Sequence, residues 1–302
     1  MSFLEGAKLL IDGAIRSCTN SLASALFRSG TGTIGQINAS YSSGTTFTLA
    51  NPADIVQFEV NMYLVASSTD GGTPVGAPSV GIVTAVDRVA GTFTIGAGAP
   101  ASWAANLFLS VQGDLNAKIK GLAAWLPSTS PTVGGGDNFF GVDRSADATR
   151  LAGVNYNGSS QSIEEALIDS SALLAREGGK PDVAITTFAS YSALEKSLGS
   201  KVQYVDMKGP AGIAFRGIMV NGANSMIKVI PDRNQLSQVC HLLQMDTWQL
   251  ASLGDAPQIL RYGDGLEMLR VSNQDAGELR VGYYAQLATN APGWNATVSL
   301  SA

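Results

Sequence analysis

The chain has 302 residues, only 14% of them charged, with a formal net charge of -5 and a sequence pI near 4.9. Soluble proteins average about 25% charged residues, and dedicated nucleic-acid binders carry basic patches, so this balance argues against gripping DNA or RNA while allowing loose contact with packed polymer. Mean hydropathy is +0.14, yet no run approaches the roughly 18 apolar residues of a membrane helix. The apolar excess is therefore expected within the fold or against other copies of the chain.

The first segment, MSFLEGAKLLIDGAIRS, lacks a basic n-region and is interrupted by Asp12, so it does not read as a secretory signal. It reads instead as an amphipathic helix over residues 2–28. Ser2 and Glu5 have capping-box spacing. Phe3, Ala7, Leu10, Ile11, Ala14, Cys18, Leu22, Ala25 and Leu26 recur at helical intervals, and Gly30 and Gly32 stop the run.

From Gly30 to Gly113 the chain is rich in Gly, Ser, Thr and Ala, has no lysine, and holds a single arginine, Arg88. Alternation from Val56 to Leu64 predicts a strand. Thr92 to Ile95 and Leu107 to Val111 predict two more, with a turn over Asp87 to Gly91. This is an all-β module or an elaborated hairpin. A short helix is expected from Asn116 to Leu126, ending before Pro127, and a Gly134-Gly135-Gly136 loop follows.

The clearest helix follows Ser162, which with Glu165 forms a capping box. Ile163, Ala166, Leu167 and Leu174 share one face, and Gly178, Gly179 and Pro181 end it. Val183 to Ile185 is a short buried strand. A helix lined by Tyr191, Leu194 and Leu198 stops at Gly199. The remainder is mainly β, with hairpin turns at Asn221-Gly222 and Asp264-Gly265. Val239, His241, Leu243 and Met245 line one strand face, and Leu279, Val281, Tyr283, Ala285 and Leu287 line another.

No pattern here assembles chemistry. Gly30 to Gly35 spells GxGxxG but follows a helix and precedes strands, the reverse of a dinucleotide loop. Gly96 to Ala101 spells the GxGxxA variant with no helix after it. His241 is the sole histidine; its neighbour Cys240 points to the opposite face of a strand, so the two make no nucleophile–base dyad. Asp137, Asp143 and Asp147 lack a calcium-loop pattern, and Glu164 with Glu165 suits the first turn of a helix. Cys18 and Cys240 have no ligand spacing and read as buried, reduced thiols. Trp103, Trp125, Trp248 and Trp294 are scattered, with no stacking platform. The expectation is no catalytic, cofactor-binding or metal-binding residue, and a non-enzymatic role.

The order of elements carries a resemblance. The run GGKPDVAITTFASYSALEKSLGSKVQY after the capped helix resembles major capsid proteins of tailed bacteriophages with the HK97-like fold, in which a Gly-rich turn, a PD-apolar strand and a Tyr-containing helix follow one another. GIAFRGIMVNGANSMIKVIPDRN looks like the next strand pair. DAGELRVGYYAQLATNAPGWNATVSL resembles the closing strand with its Pro-x-x-Asn element, here Pro292 and Asn295.

The resemblance implies an α+β subunit with an N-terminal arm over 1–29 and a β-rich extended loop or inserted module over 30–113. It implies a peripheral domain with its spine helix over 114–180, an axial domain over 181–255, and C-terminal strands of the peripheral domain over 256–302. It also implies a structural shell protein that self-assembles as hexamers and pentamers around double-stranded DNA, touched only non-specifically. The expected partners are scaffold, portal and decoration proteins, with no cofactor and no membrane, and the place is a virion assembled in host cytoplasm. An encapsulin-like compartment wall or another virion protein, of decoration or tail, is the alternative. The lysine cross-link some members use is not expected between Gly30 and Gly113, so cohesion should be non-covalent. An N-terminal scaffolding segment, where the family has one, is not evident.

Overall fold

In a computed structural model that describes residues 3–76, 80–96, 100, 102–198, 204–208, 214–261, 268–274 and 277–301, the chain opens with helix α1 (Phe3–Phe27) and then winds a small barrel. The barrel strands are β1 (Thr33–Gln36), β2 (Thr46–Thr48), β3 (Tyr63–Ser67), β4 (Gly81–Asp87), β5 (Thr92–Ile95) and β6 (Phe108–Val111). Their hydrogen-bonded order is β1-β6-β3-β4-β5-β2. The outer two then meet: Ile37 bridges Leu49, Asn38 N donates to Thr48 O at 2.9 Å, and Ala50 N donates to Gln36 O at 2.8 Å. A sheet closed on itself has no free edge.

The barrel fills with its own side chains. Inward positions of the strands carry Phe47, Leu64, Ala66, Val83, Phe93, Ile95 and Leu109, all buried. Phe93 stacks between Phe47 (5.3 Å) and Phe58 (5.0 Å), and Trp103 meets Phe47 edge-on at 5.5 Å. The Asp87 turn forms as expected, with Asp87 Oδ1 accepting from Val89 N and Ala90 N. The strand expected from Val56 to Leu64 does not. Pro52–Gln57 is a 3₁₀ turn capped by Asn51, and the ladder starts only at Tyr63. Pro52 at the first position and the Asn51 cap favour the turn over a ladder.

After the barrel, the expected helix at 116–126 shrinks to α2 (Leu122–Trp125). Gly121 is why it can start there. A Cβ on Gly121 would strike the carbonyl oxygens of Ala25 and Leu26, while Gly121 N donates to Arg28 O at 3.0 Å. The end of α1 thus sits directly on this backbone. A short hairpin, β7 (Asn138–Phe139) and β8 (Val142–Asp143), and helix α3 (Ala148–Ala152) follow.

The main body comprises β9 (Val154–Gly158), α4 (Ile163–Arg176), β10 (Val183–Thr186), α5 (Phe188–Leu198), β11 (Tyr204–Lys208), β12 (Ala214–Asn221), β13 (Met226–Pro231) and β14 (Val239–Leu243). Beyond it come β15 (Trp248–Ser252), β16 (Gln258–Ile259), β17 (Met268–Arg270), β18 (Gly277–Leu279), β19 (Val281–Gly282), β20 (Ala285–Thr289) and β21 (Ala296–Leu300). Seven strands form one sheet in the order β11-β12-β13-β10-β14-β21-β9, with β10–β13 and β21–β9 parallel. This sheet joins strands from 114–180, 181–255 and 256–302, so those segments share one core.

Helix α4 lies against that sheet. Its capping box is present in full: Ser162 Oγ accepts from Glu165 N, and Glu165 Oε2 accepts from Ser162 N at 3.2 Å. Ala166, Leu167 and Leu174 are completely buried with Ala184, Ile227, Leu242 and Val298. The approach is close because Gly158 has no side chain; a Cβ there would lie 2.5 Å from Ala166 Cβ. Strand β14 is buried on both faces, and Met245 has left it for a 3₁₀ turn. The Asn221-Gly222 turn joins β12 to β13, with Gly222 N donating to Ser225 O.

The single strand expected from Leu279 to Leu287 is instead three pieces. β18 pairs β17, β19 pairs β16 and β20 pairs β15, a nested series that makes a broken two-stranded ribbon over 248–289. Ser2, Gly199 and the Asp264-Gly265 turn lie outside the described residues, as do the Glu5 side chain and most of the Gly96 to Ala101 run.

Candidate assembly surface

His241 and the three loop aspartates are held by hydrogen bonds and an ion pair within the chain. His241 is fully buried on β14, and burial pushes its pKa down to about 4, so it is a neutral ring. Its Nδ1 lies 2.9 Å from Gln235 Nε2 and 3.1 Å from Gln235 Oε1, while Gln235 Nε2 also donates to Val239 O. Cys240 faces the α4 side of the sheet, where burial raises its thiol to about 12. The two side chains point apart. Cys18, expected to be buried, is only half-buried on α1, because the helix is covered on one side near its end.

The three loop aspartates are consumed locally. Asp143 Oδ1 accepts from Asp137 N, Ser145 N and Ser145 Oγ, and these bonds, led by that from Asp137, hold its pKa below the usual range. Asp137 pairs with Arg144 at 2.9 Å, and Asp147 caps α3. Among the described residues no group of three potential metal ligands comes together, and no helix is long and apolar enough to cross a membrane. Gly30 and Gly32 sit at φ +84° and +83° in the joint between α1 and β1, as turn residues.

The chain does present apolar surface. The final turns of α1 are anchored: Leu22 and Ala25 pack with Ile119, Ala256 and Tyr283. Lys118 Nζ reaches Ser21 Oγ at 2.6 Å and Asp114 at 2.8 Å, and Arg28 pairs with Asp54 at 2.9 Å across to the barrel. Toward its start the same helix has no such cover. Leu9 is 65% exposed and Leu10 75%, with Ala14 also exposed. At 1.5 Å per residue the helix is about 37 Å long; its last turns are packed, Ile11, Ile15 and Cys18 are half-buried, and Leu9, Leu10 and Ala14 are exposed. The sequence showed one continuous apolar face; the structure divides it into a packed end and an open one.

A second such surface is the ribbon over 248–289. Both strands of a two-stranded ribbon keep an unpaired edge, and here Leu250, Leu253, Met268 and Tyr284 are exposed along it. A third is the β7–β8 hairpin, whose Phe140 and Val142 are exposed. Neither had been singled out in the sequence. The Phe139-Phe140-Gly141 tip between polar residues was the available signal for the hairpin. Ribbon pairing joins residues too far apart for periodicity to reveal.

The architecture is a mixed α+β chain whose first helix is buried in its last turns and exposed at Leu9 and Leu10, with an open two-stranded ribbon. No protein-family model matches the chain, and no curated protein matches it in sequence. Among solved structures it aligns with the cryo-electron microscopy structure of the holo-SrpI encapsulin complex from Synechococcus elongatus, at a TM-score of 0.34 and 12% identity. That alignment covers 48% of this chain and 51% of the encapsulin chain, so this chain spans about half the length of the protein it matches.

Proposed function

We propose that this chain is a shell-forming structural subunit, a major capsid protein of HK97-like fold that self-assembles around a phage double-stranded DNA genome without catalysing a reaction. The observation that carries this reading is α1. Leu9 and Leu10 stand exposed on a long helix whose end is firmly seated. Burying such side chains is worth about 25 cal/mol per Å² of apolar area, a gain the single subunit leaves unused. The element order of the sequence supports the same reading.

In this proposal α1 is the arm laid on a neighbour, α4 the spine, and the 33–111 barrel an inserted module. Partners are other copies in hexamers and pentamers, with scaffold, portal and decoration proteins; contact with DNA is loose, as the net charge of -5 suits. The shell belongs to a virion built in the host cytoplasm. An encapsulin-like compartment is the second reading, since the same exposed α1 face serves any closed shell.

Electron microscopy of the purified chain tests the proposal. Closed particles of uniform size are expected; a monomer at high concentration would refute it. Nuclease-protected DNA inside particles from infected cells supports the capsid, and an enzyme cargo supports the compartment.

A further inference from the structure

Helix α1 carries a polar stripe beside its apolar one. Arg16, Asn20 and Ser24 recur every four residues and so lie close to one face of the helix. They wall a cleft of about 420 Å³. Its other sides are the barrel, at Val56, Glu59 and Met62, and the loop between β13 and β14, at Arg233. That volume lies in the range of small-molecule sites.

The charges in this cleft do not cancel. Arg16, Arg28, Lys118 and Arg233 line it against Glu59 and Asp114, four cations to two carboxylates. The chain as a whole carries -5, so the local positive excess runs against its balance. Two of the cations are occupied: Lys118 pairs with Asp114 at 2.8 Å, and Arg28 with Asp54 at 2.9 Å. The other two are not. Among the described residues the guanidinium groups of Arg16 and Arg233 make no ion pair and no hydrogen bond. Two buried donors lack a partner as well. Arg28 Nε–H has none, and Ser24, only 7% exposed, has none for its hydroxyl among the described residues. An acceptor is what each of these groups lacks.

The loop that carries Arg233 is held in place. The adjacent Asn234 accepts from Gln57 Nε2 at 3.1 Å, and its N–H donates to Asp232 Oδ1 at 2.7 Å. Beside the apolar Val56, Met62 and Val111, charge is less screened than in open water. The other cavities differ. Beside His241, Asp70 balances Arg28, and beside Leu253, Asp255 balances Arg261. A carboxylate fills one guanidinium fork, whereas a tetrahedral phosphate offers oxygens to two that arrive from separate walls.

We infer that the cleft between α1, the barrel and the β13–β14 loop binds a small phosphate-bearing anion, held by Arg16 and Arg233. Ser24 Oγ–H is a further donor, and Glu59 opposes binding. One copy of the chain holds every part of the site, so it stands whether or not copies assemble.

Isothermal titration calorimetry of the full chain with pyrophosphate, at constant ionic strength and against a sodium chloride blank, tests this. Saturable binding at millimolar pyrophosphate is expected. Arg16→Gln and Arg233→Gln should each weaken it about tenfold or more. Both side chains are exposed and unbonded, so urea unfolding of the two variants should match the native chain. Glu59→Gln should tighten binding by removing the opposing carboxylate. Arg150→Gln, on α3 and outside the cleft, should change nothing. Duplex DNA, too wide for the cleft, should not compete. Absence of saturation would overturn the inference, and so would unaltered binding in both Arg16→Gln and Arg233→Gln. Equal weakening by Arg150→Gln, or competition by DNA, would mean diffuse attraction to surface charge and would refute the site. A gain from Glu59→Gln cannot come from misfolding, so failure of that variant to tighten counts against the site whatever the arginine variants do.

Discussion

The barrel and the ribbon are both β-structure, yet they use apolar residues in opposite ways. In the barrel, closure through Ile37 and Leu49 consumes every edge, and Phe47, Phe58 and Phe93 are buried to nothing. In the ribbon, nested short ladders leave edges open, and Leu253, Met268 and Tyr284 face outward. The lesson is that hydrophobic content alone does not tell core from interface. What decides is whether the ladder returns to its own first strand. A closed module can meet neighbours only through its outer face, whereas an open ribbon also offers backbone donors and acceptors.

The comparison can be broken most severely at α1, whose exposed Leu9 and Leu10 belong with the ribbon in the open class. Deleting residues 2–19 spares Leu22 and Ala25, whose packing anchors the helix. On the proposed shell reading, the truncated chain should unfold at nearly the native temperature and form no particles by electron microscopy; normal particles would put α1 outside the assembly.

Next in size is the barrel core. Phe93→Ala should cost about 3–5 kcal/mol of subunit stability, read by denaturant unfolding, because Phe93 stacks on two rings in a closed space. Leu253→Ser on the ribbon should change subunit stability by no more than about 0.5 kcal/mol while weakening assembly. A large loss of stability from Leu253→Ser would mean that the ribbon is core after all.

Between those extremes lies a titration in the seven-stranded sheet. His241 has its pKa lowered from 6.5 to about 4 by burial. The unfolded chain therefore takes up the proton first. Stability from this group is complete above pH 6.5 and is lost as pH falls through 6.5 towards 4, about 3 kcal/mol in all. His241→Gln should flatten that part of the pH profile relative to the native chain. At pH 7 its effect should stay near 1 kcal/mol. An unchanged acid slope would show that carboxylates alone set it.

How far the sequence reveals this architecture depends on how local each signal is. The capping box of Ser162 and Glu165, the stop at Gly178, and the Asp87 turn lie within a few residues of what they fix, and each appears where the pattern puts it. Val56 to Leu64 alternates like a strand, but Asn51 and Pro52 begin a turn whose side chains reach the same core by another route. Leu279 to Leu287 also alternates, and the structure breaks it because its partners on β15, β16 and β17 are themselves broken. Closure at Ile37 and Leu49 has no local mark. Nor does the exposure of Leu9 and Leu10, since a stripe on a helix looks the same whether the surface that covers it belongs to its own chain or to another.

The seating of β9 has a temporal consequence. Among the described residues β9 pairs only with β21, in register from Val154 opposite Ala296 to Gly158 opposite Leu300. All barrel strands lie between residues 33 and 111, so a ribosome releases a chain whose barrel can close while the main sheet still lacks the strand between β14 and β9. Long sequence separation slows pairing of this kind. Until residues 296–300 emerge, the edge of β14 stays open and the α4 core lacks Val298 and Leu300. A chain that stops before residue 296 therefore has every barrel strand but lacks the strand that joins β14 to β9 and the side chains that complete the α4 core.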